Sequence, residues 1–157
     1  MNPTNETFIQ RTLELALAAA KKGNHPFGAI LVHEKNILLE AENTVVTEKD
    51  PTQHAELRLI SQASRTFDRE IIKHCTLFSS TEPCAMCCGA IYWSGIRRLV
   101  YGCSEKTLGK YAGKDFLIPS ADLFQYAQEP VHITGPILEA LSAQVHSDFW
   151  NKKVVPK

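Results

Sequence analysis

Residues 75–102 read CTLFSSTEPCAMCCGAIYWSGIRRLVYG, and this stretch decides the fold. Residues 75–79 are a short apolar run, the pattern of a buried strand. Ser80-Thr81-Glu82-Pro83 then sets capping residues ahead of a proline, the order that starts a helix, and the apolar segment that follows ends near Ser94. Residues 99–102 form another strand. Two strands joined through a helix make a crossover, which predicts parallel neighbours in one sheet.

Working outward, residues 6–22 carry Phe8, Ile9, Leu13, Ala16, Leu17 and Ala20 at helical spacing, with Gly23 where a left-handed C-terminal cap falls. Residues 27–33 and 37–42 are rich in Ile, Leu and Val and flank the polar Glu34-Lys35-Asn36, which reads as an antiparallel hairpin. Asp50-Pro51-Thr52-Gln53 combines an N-cap Asp, a Pro for the first helical position and a Gln as capping-box partner, predicting a helix over 51–64. Downstream, 131–134 reads as a fifth strand, and Pro136 opens a last helix through Leu138, Leu141, Val145 and Phe149. Residues 104–130 carry no decisive pattern. The expected class is α/β, a three-layer α/β/α sandwich around a central mixed five-stranded sheet.

The 157 residues, 44% hydrophobic and 22% charged, suit one domain over 1–157 and exclude collagen-like, fibrous and disordered classes. Seventeen basic residues balance seventeen acidic ones, so no global field draws the chain to a polyanion or an acidic membrane. Local clusters stay open, with Arg97, Arg98, Lys106, Lys110, Lys114, Lys152, Lys153 and Lys157 as candidates. Apolar runs are too short to span a bilayer and the start lacks a signal-peptide pattern, so no membrane partner and a cytoplasmic location are expected. Five cysteines, an odd number in a chain large enough to build its own core, favour metal ligation or catalysis over a disulfide framework.

Two fragments carry the chemistry, each at the first turn of an expected helix: His54-Ala55-Glu56 and Pro83-Cys84-Ala85-Met86-Cys87. Cys84 and Cys87 share one helix face, and the positive helix end favours their thiolates. With the imidazole of His54 they make an N,S,S set suited to zinc, with one tetrahedral position left over for chemistry. Glu56, two residues beyond His54, is poorly placed as a ligand. At a helix start it can lean past the open end and act as a general acid and base. A redox Cys-x-x-Cys is the competing reading of the cysteines alone. A structural zinc completed by Cys75, Cys88 or Cys103, in a binding module without catalysis, is another. His25, His33, His74, His132 and His146 have no partner at ligand spacing.

His-x-Glu followed by Pro-Cys-x-x-Cys resembles the signature of the zinc-dependent cytidine and deoxycytidylate deaminase superfamily. The resemblance runs from Pro26-Phe27-Gly28-Ala29 through Tyr101-Gly102. It implies a zinc-dependent aminohydrolase in which His54, Cys84 and Cys87 hold the metal, water replaces an amino group on a base, and Glu56 moves the protons. Within the superfamily, Asp50-Pro51-Thr52 and Gly89-Ala90-Ile91-Tyr92-Trp93 are similar to the short bacterial guanine deaminases. That likeness implies a small-molecule purine base, guanine, as substrate, with contacts at Phe27, Asn43, Ala55, Trp93 and Asp115. It also implies a homodimer, with C-terminal segments exchanged between partners. The chain departs from those enzymes in ending Asn151-Lys152-Lys153-Val154-Val155-Pro156-Lys157, where they often end in Tyr over the pocket. The tRNA adenosine deaminases are the second resemblance. They share Asp-Pro-Thr-x-His-Ala-Glu and a stretch like Gly135-Pro136-Ile137-Leu138, and would make tRNA the partner. Cytosine and other nucleosides stay open as substrates.

Overall fold

The strand–helix–strand unit lies at the centre of the computed structural model, which describes residues 3–153, with 152 and 153 by backbone alone. In chain order the elements are α1 (Asn5–Lys21), β1 (Gly28–His33), β2 (Asn36–Glu42), α2 (Val45–Glu48), α3 (Ala55–Thr66) and α4 (Arg69–Ile72). There follow β3 (Cys75–Thr81), α5 (Ala85–Ser94), β4 (Arg98–Cys103), α6 (Glu105–Ala112), α7 (Ser120–Phe124), β5 (His132–Thr134) and α8 (Glu139–Lys153). The sheet order is β2-β1-β3-β4-β5. β1 pairs antiparallel with β2 and β3, while β3–β4 and β4–β5 are parallel. The sheet is therefore mixed and five-stranded, as expected.

Alternation along the strands divides the core in two. Ile30, Val32, Phe78 and Val100 face α1 and α8, meeting Phe8, Ile9, Leu13 and Val145. Ala29, Leu31, Leu77 and Leu99 face the other way, onto Leu59 and Ile60 of α3 and Cys88 and Ile91 of α5. Helices thus cover both faces and give three layers. Gly28 is where α1 comes closest: a Cβ there would lie 2.4 Å from the Thr12 carbonyl oxygen and 2.6 Å from Leu15 Cβ. Among the described residues no helix is long and apolar enough to cross a membrane.

Three boundaries differ from the sequence reading. The hairpin turn is Glu34-Lys35 alone; Asn36 already pairs with His33, and Glu34 takes a positive φ of 57°. The helix expected from Pro51 starts at Ala55. Asp50 is not its cap but the head of a side-chain-bonded turn: Asp50 Oδ1 accepts from Thr52 N at 2.8 Å and Thr52 Oγ1 at 2.7 Å. Cap and turn use the same Asp chemistry, so the local pattern does not separate them. The last helix starts at Glu139 and not at Pro136, because Ile137 N–H bonds the Tyr101 carbonyl at 3.0 Å and keeps this segment beside β4. The unassigned stretch 104–130 contains α6 and α7. Val154 to Lys157, where the chain departs from the guanine deaminase ending, lie outside the described residues.

Candidate active site

The delayed start of α3 shapes the site. His54 is the N-cap, with extended backbone (φ −67°, ψ 150°), and Glu56 is in the first turn. Residues two apart diverge on a regular helix, but the extended cap turns His54 back so that its ring and the Glu56 carboxyl reach the same place. Cys84 is likewise the N-cap of α5 and Cys87 lies in its first turn. Both helix starts sit beside the carboxyl end of β3, the usual position for a ligand site in an α/β sheet.

His54 Nδ1 is 3.6 Å from Cys84 Sγ and 3.5 Å from Cys87 Sγ, and the three atoms lie within 4.8 Å of one another. Zinc bonds of about 2.05 Å to nitrogen and 2.3 Å to sulfur, opened by about 109°, separate N and S by about 3.6 Å. The donor set therefore fits one zinc ion. Without a metal the Cys87 thiol donates to a Cys84 thiolate. Accepting from Cys87 and His54 pulls Cys84 down to about 4, while donating to Cys84, together with burial, pushes Cys87 far up. A dication between them stabilises both as thiolates. The imidazole is raised, chiefly by its hydrogen bond with Cys84 and against the effect of burial.

The structural-zinc alternative needs a fourth protein donor, and among the described residues none joins the cluster. Cys75, Cys88 and Cys103 point their thiols to the carbonyls of Ile71, Pro83 and Ser104. All five cysteines are free. Glu56 is buried, accepts from Ser79 Oγ at 2.6 Å through Oε1, and turns Oε2 toward Cys87 Sγ at 3.4 Å. Burial raises its carboxyl above the ordinary range, and the Ser79 hydroxyl partly offsets this.

These groups open on a cavity of about 380 Å³. Its lining combines His54, Glu56 and Cys84 from the starts of α3 and α5 with Phe27 and with Glu105, Leu108, Asp115, Phe116 and Leu117 from α6 and the chain after it. A larger groove of about 650 Å³ between β2 and α3 holds none of the metal-ligating groups. Of the other residues singled out from sequence, Asp115 is at the cavity rim and exposed. Ala55 is fully buried at the first position of α3. Asn43 is buried, and its Oδ1 accepts from Val45 N at 3.0 Å. Trp93 is 77% exposed and lines a separate groove with Tyr92 and Tyr126, because its place on α5 faces away from the metal end. His25 packs on the rings of Phe149 and Trp150.

Two acidic residues in the cavity lining, Glu82 and Glu105, were not singled out from sequence. Glu82 lies inside the Ser-Thr-Glu-Pro run, where it reads as part of a helix start. Glu105 follows Ser104 at the head of an unassigned helix, where an acidic residue usually means a solvated favourable charge at the dipole.

Residues 2–103 match the model of the cytidine and deoxycytidylate deaminase zinc-binding region. A probable cytosine deaminase of Schizosaccharomyces pombe is 39% identical over 150 residues, covering 92% of this chain and 91% of the relative. The guanine deaminase of Bacillus subtilis is 39% identical over 153 residues, covering 95% and 97%. A solved structure of guanine deaminase from that organism superposes with a TM-score of 0.63 at 32% identity, covering 82% of this chain and 79% of that one. The tRNA-specific adenosine deaminase of Buchnera aphidicola from Schizaphis graminum is 41% identical over 148 residues, covering 93% of each.

Proposed function

The chain belongs to the cytidine and deoxycytidylate deaminase family and is a zinc-dependent aminohydrolase acting on a nucleobase or nucleoside; from that premise we propose that its substrate is a free purine base, guanine, converted with one water to xanthine and ammonia. The observation that carries the assignment of roles is the Glu56 carboxyl, buried and turned by Ser79 toward the ligand cluster. When bound, zinc supplies a Lewis acid that brings the pKa of a water down toward about 7, so that a nucleophile exists near neutrality. Glu56 accepts one proton of the attacking water and delivers it to the ring nitrogen beside the amino-bearing carbon; it then takes the second proton of that oxygen as the C=O forms and gives it to the amine, which leaves as ammonia. Ser79 holds the carboxyl in one orientation during these transfers.

Three features support a small free base. The ring of Phe27 lies in the cavity lining, suited to hold a flat heterocycle by stacking. Asn43, with its oxygen already engaged, keeps an amide N–H₂ to donate, and Ala55 brings a backbone N–H at a helix start. Of the candidate basic residues, Arg97 is already engaged: it is bound to Glu129 at 3.0 Å and lies 4.2 Å over the Tyr92 ring. A single domain and a homodimer belong to the same reading, and the exposed rings of Trp93 and Tyr126 are apolar surface that a second copy would cover.

Deamination of adenosine in tRNA is the alternative. It is supported by the 41% identity to a tRNA-specific enzyme and by exposed Lys106, Lys110 and Lys114 close to the cavity-lining segment. Ammonia release from guanine, guanosine, cytosine, cytidine and a tRNA, each with purified zinc-loaded protein, separates the readings. Turnover of guanine above the others is expected. Turnover of the tRNA alone overturns the proposal in favour of the alternative.

A further inference from the structure

Two carboxyl groups that line the cavity besides Glu56 are buried and unlike each other. Glu82 is satisfied: Oε1 accepts from Glu105 N at 3.0 Å, and Oε2 accepts from Ser120 N at 2.8 Å and Ser120 Oγ at 2.5 Å. It is a strut that ties the end of β3 to the starts of α6 and α7. Glu105 is 2% exposed, lines the same cavity, and leaves Oε2 with no hydrogen-bond partner. Among the described residues the other buried side-chain atom in that condition is Ser142 Oγ, which packs against Gly102 from α8 and is not in the cavity lining. A buried polar atom without a partner is costly, and such atoms concentrate where a ligand completes them.

We propose that Glu105 reads an N–H/C=O edge of the bound base, as a carboxylic acid that offers an O–H donor and a carbonyl acceptor side by side. This rests on the reading of the site as a base deaminase and narrows its substrate class to oxo bases with an adjacent ring N–H and C=O. Burial, with the Glu82 carboxyl next in importance and a hydrogen bond from the Ile118 backbone opposing them, pushes Glu105 up to about 8, which favours the O–H form. A carboxylic acid and a cis-amide edge pair through two hydrogen bonds, each donor meeting an acceptor. Guanine presents that edge at N1–H and C6=O, and free cytosine at N1–H and C2=O. Adenine has no oxo group, and in a nucleoside of cytosine the sugar replaces the N1 hydrogen. Asp115, expected from the family resemblance to read the base, is an exposed carboxyl on the rim, where water competes for each hydrogen bond. A buried group left unpaired by the wrong ligand discriminates far more strongly.

The test compares Glu105→Gln, which keeps a donor and an acceptor at the same volume, with Glu105→Met, which keeps length and removes both. Steady-state ammonia release from guanine is expected to give Glu105→Gln a KM within about fivefold of the parent. Glu105→Met is expected to raise KM by about 10- to 100-fold with little change in kcat. Equilibrium binding gives a second readout: the parent and Glu105→Gln bind hypoxanthine more tightly than purine, which lacks the N1–H and C6=O edge, and Glu105→Met loses that preference. Should Glu105→Met fail to fold, Glu105→Asp takes its place, because withdrawing the carboxyl by one methylene also breaks the pair. A KM for Glu105→Met equal to that of the parent, or equal losses in the Gln and Met proteins, overturns the role of Glu105 and leaves the base-deaminase reading intact. A parent protein that turns over tRNA and no oxo base removes the substrate reading itself.

Discussion

The two groups of residues that line the cavity are built on opposite principles. On the metal side every reactive atom is held by another: His54 by both sulfurs, Cys87 by Glu56, Glu56 by Ser79. The other group, from α6 and the chain after it, has a buried carboxyl oxygen without a partner, an exposed Asp115, and a Phe116 that is 73% exposed. An interlocked cluster preserves one kind of chemistry, because moving any member strands a buried polar group. A wall with unmet hydrogen-bonding capacity and exposed side chains is where selectivity for one base over another is set.

Substitutions on the metal side are expected to break that contrast most severely. With three protein donors and no spare, Cys87→Ser should lose bound zinc and bring turnover to background; metal analysis beside an ammonia assay checks both. Full activity without stoichiometric metal would contradict the site. Glu56→Gln is expected to keep zinc and fold while kcat falls by about 10²- to 10⁴-fold, the range of a lost general acid and base. A rate close to that of the parent would take Glu56 out of the proton path.

The smallest effect is expected behind Phe27, and it sharpens the comparison by testing support and not chemistry. His146 is 1% exposed, packs on the Phe27 ring at 5.2 Å between centroids, and accepts the Trp150 indole N–H on Nδ1 at 3.2 Å. That leaves its proton on Nε2, 2.6 Å from Thr81 Oγ1. Burial lowers its pKa from 6.5 to about 4. Between those values the unfolded chain binds a proton that the folded one excludes, so this stability is complete above pH 6.5 and is lost as pH falls through 4. Between pH 7 and pH 5 the loss amounts to about 2 kcal/mol. Urea unfolding of the parent and of His146→Gln should show that extra acid sensitivity in the parent alone; parallel pH profiles would refute it.

How far the site was legible depends on how local its determinants are. His54, Glu56, Cys84 and Cys87 fall in two short fragments whose spacing suits a zinc centre, and the structure brings the three ligands together. The start of α3 was misplaced because Asp50-Pro51-Thr52-Gln53 makes a turn with the same groups that would have made a cap. Glu105 was passed over because its neighbourhood in sequence is a polar helix start. Its burial comes from the cavity wall formed with residues after α6 and from Glu82 at the end of β3. Trp93 shows the opposite case: the family likeness implies a ring on the base, while within a single chain Trp93 is 77% exposed and lines a separate groove.

From its residues alone, this chain declared an α/β sheet, a three-ligand zinc centre and a carboxyl beside it, because strand alternation, helix starts and ligand spacing are properties of neighbours in sequence. What required tertiary structure was the rest of the cavity lining: which carboxyl is buried, which is wet, and which oxygen lacks a partner. Burial is a property of everything packed around a group, and for Glu105 the surroundings come from segments far apart in the chain.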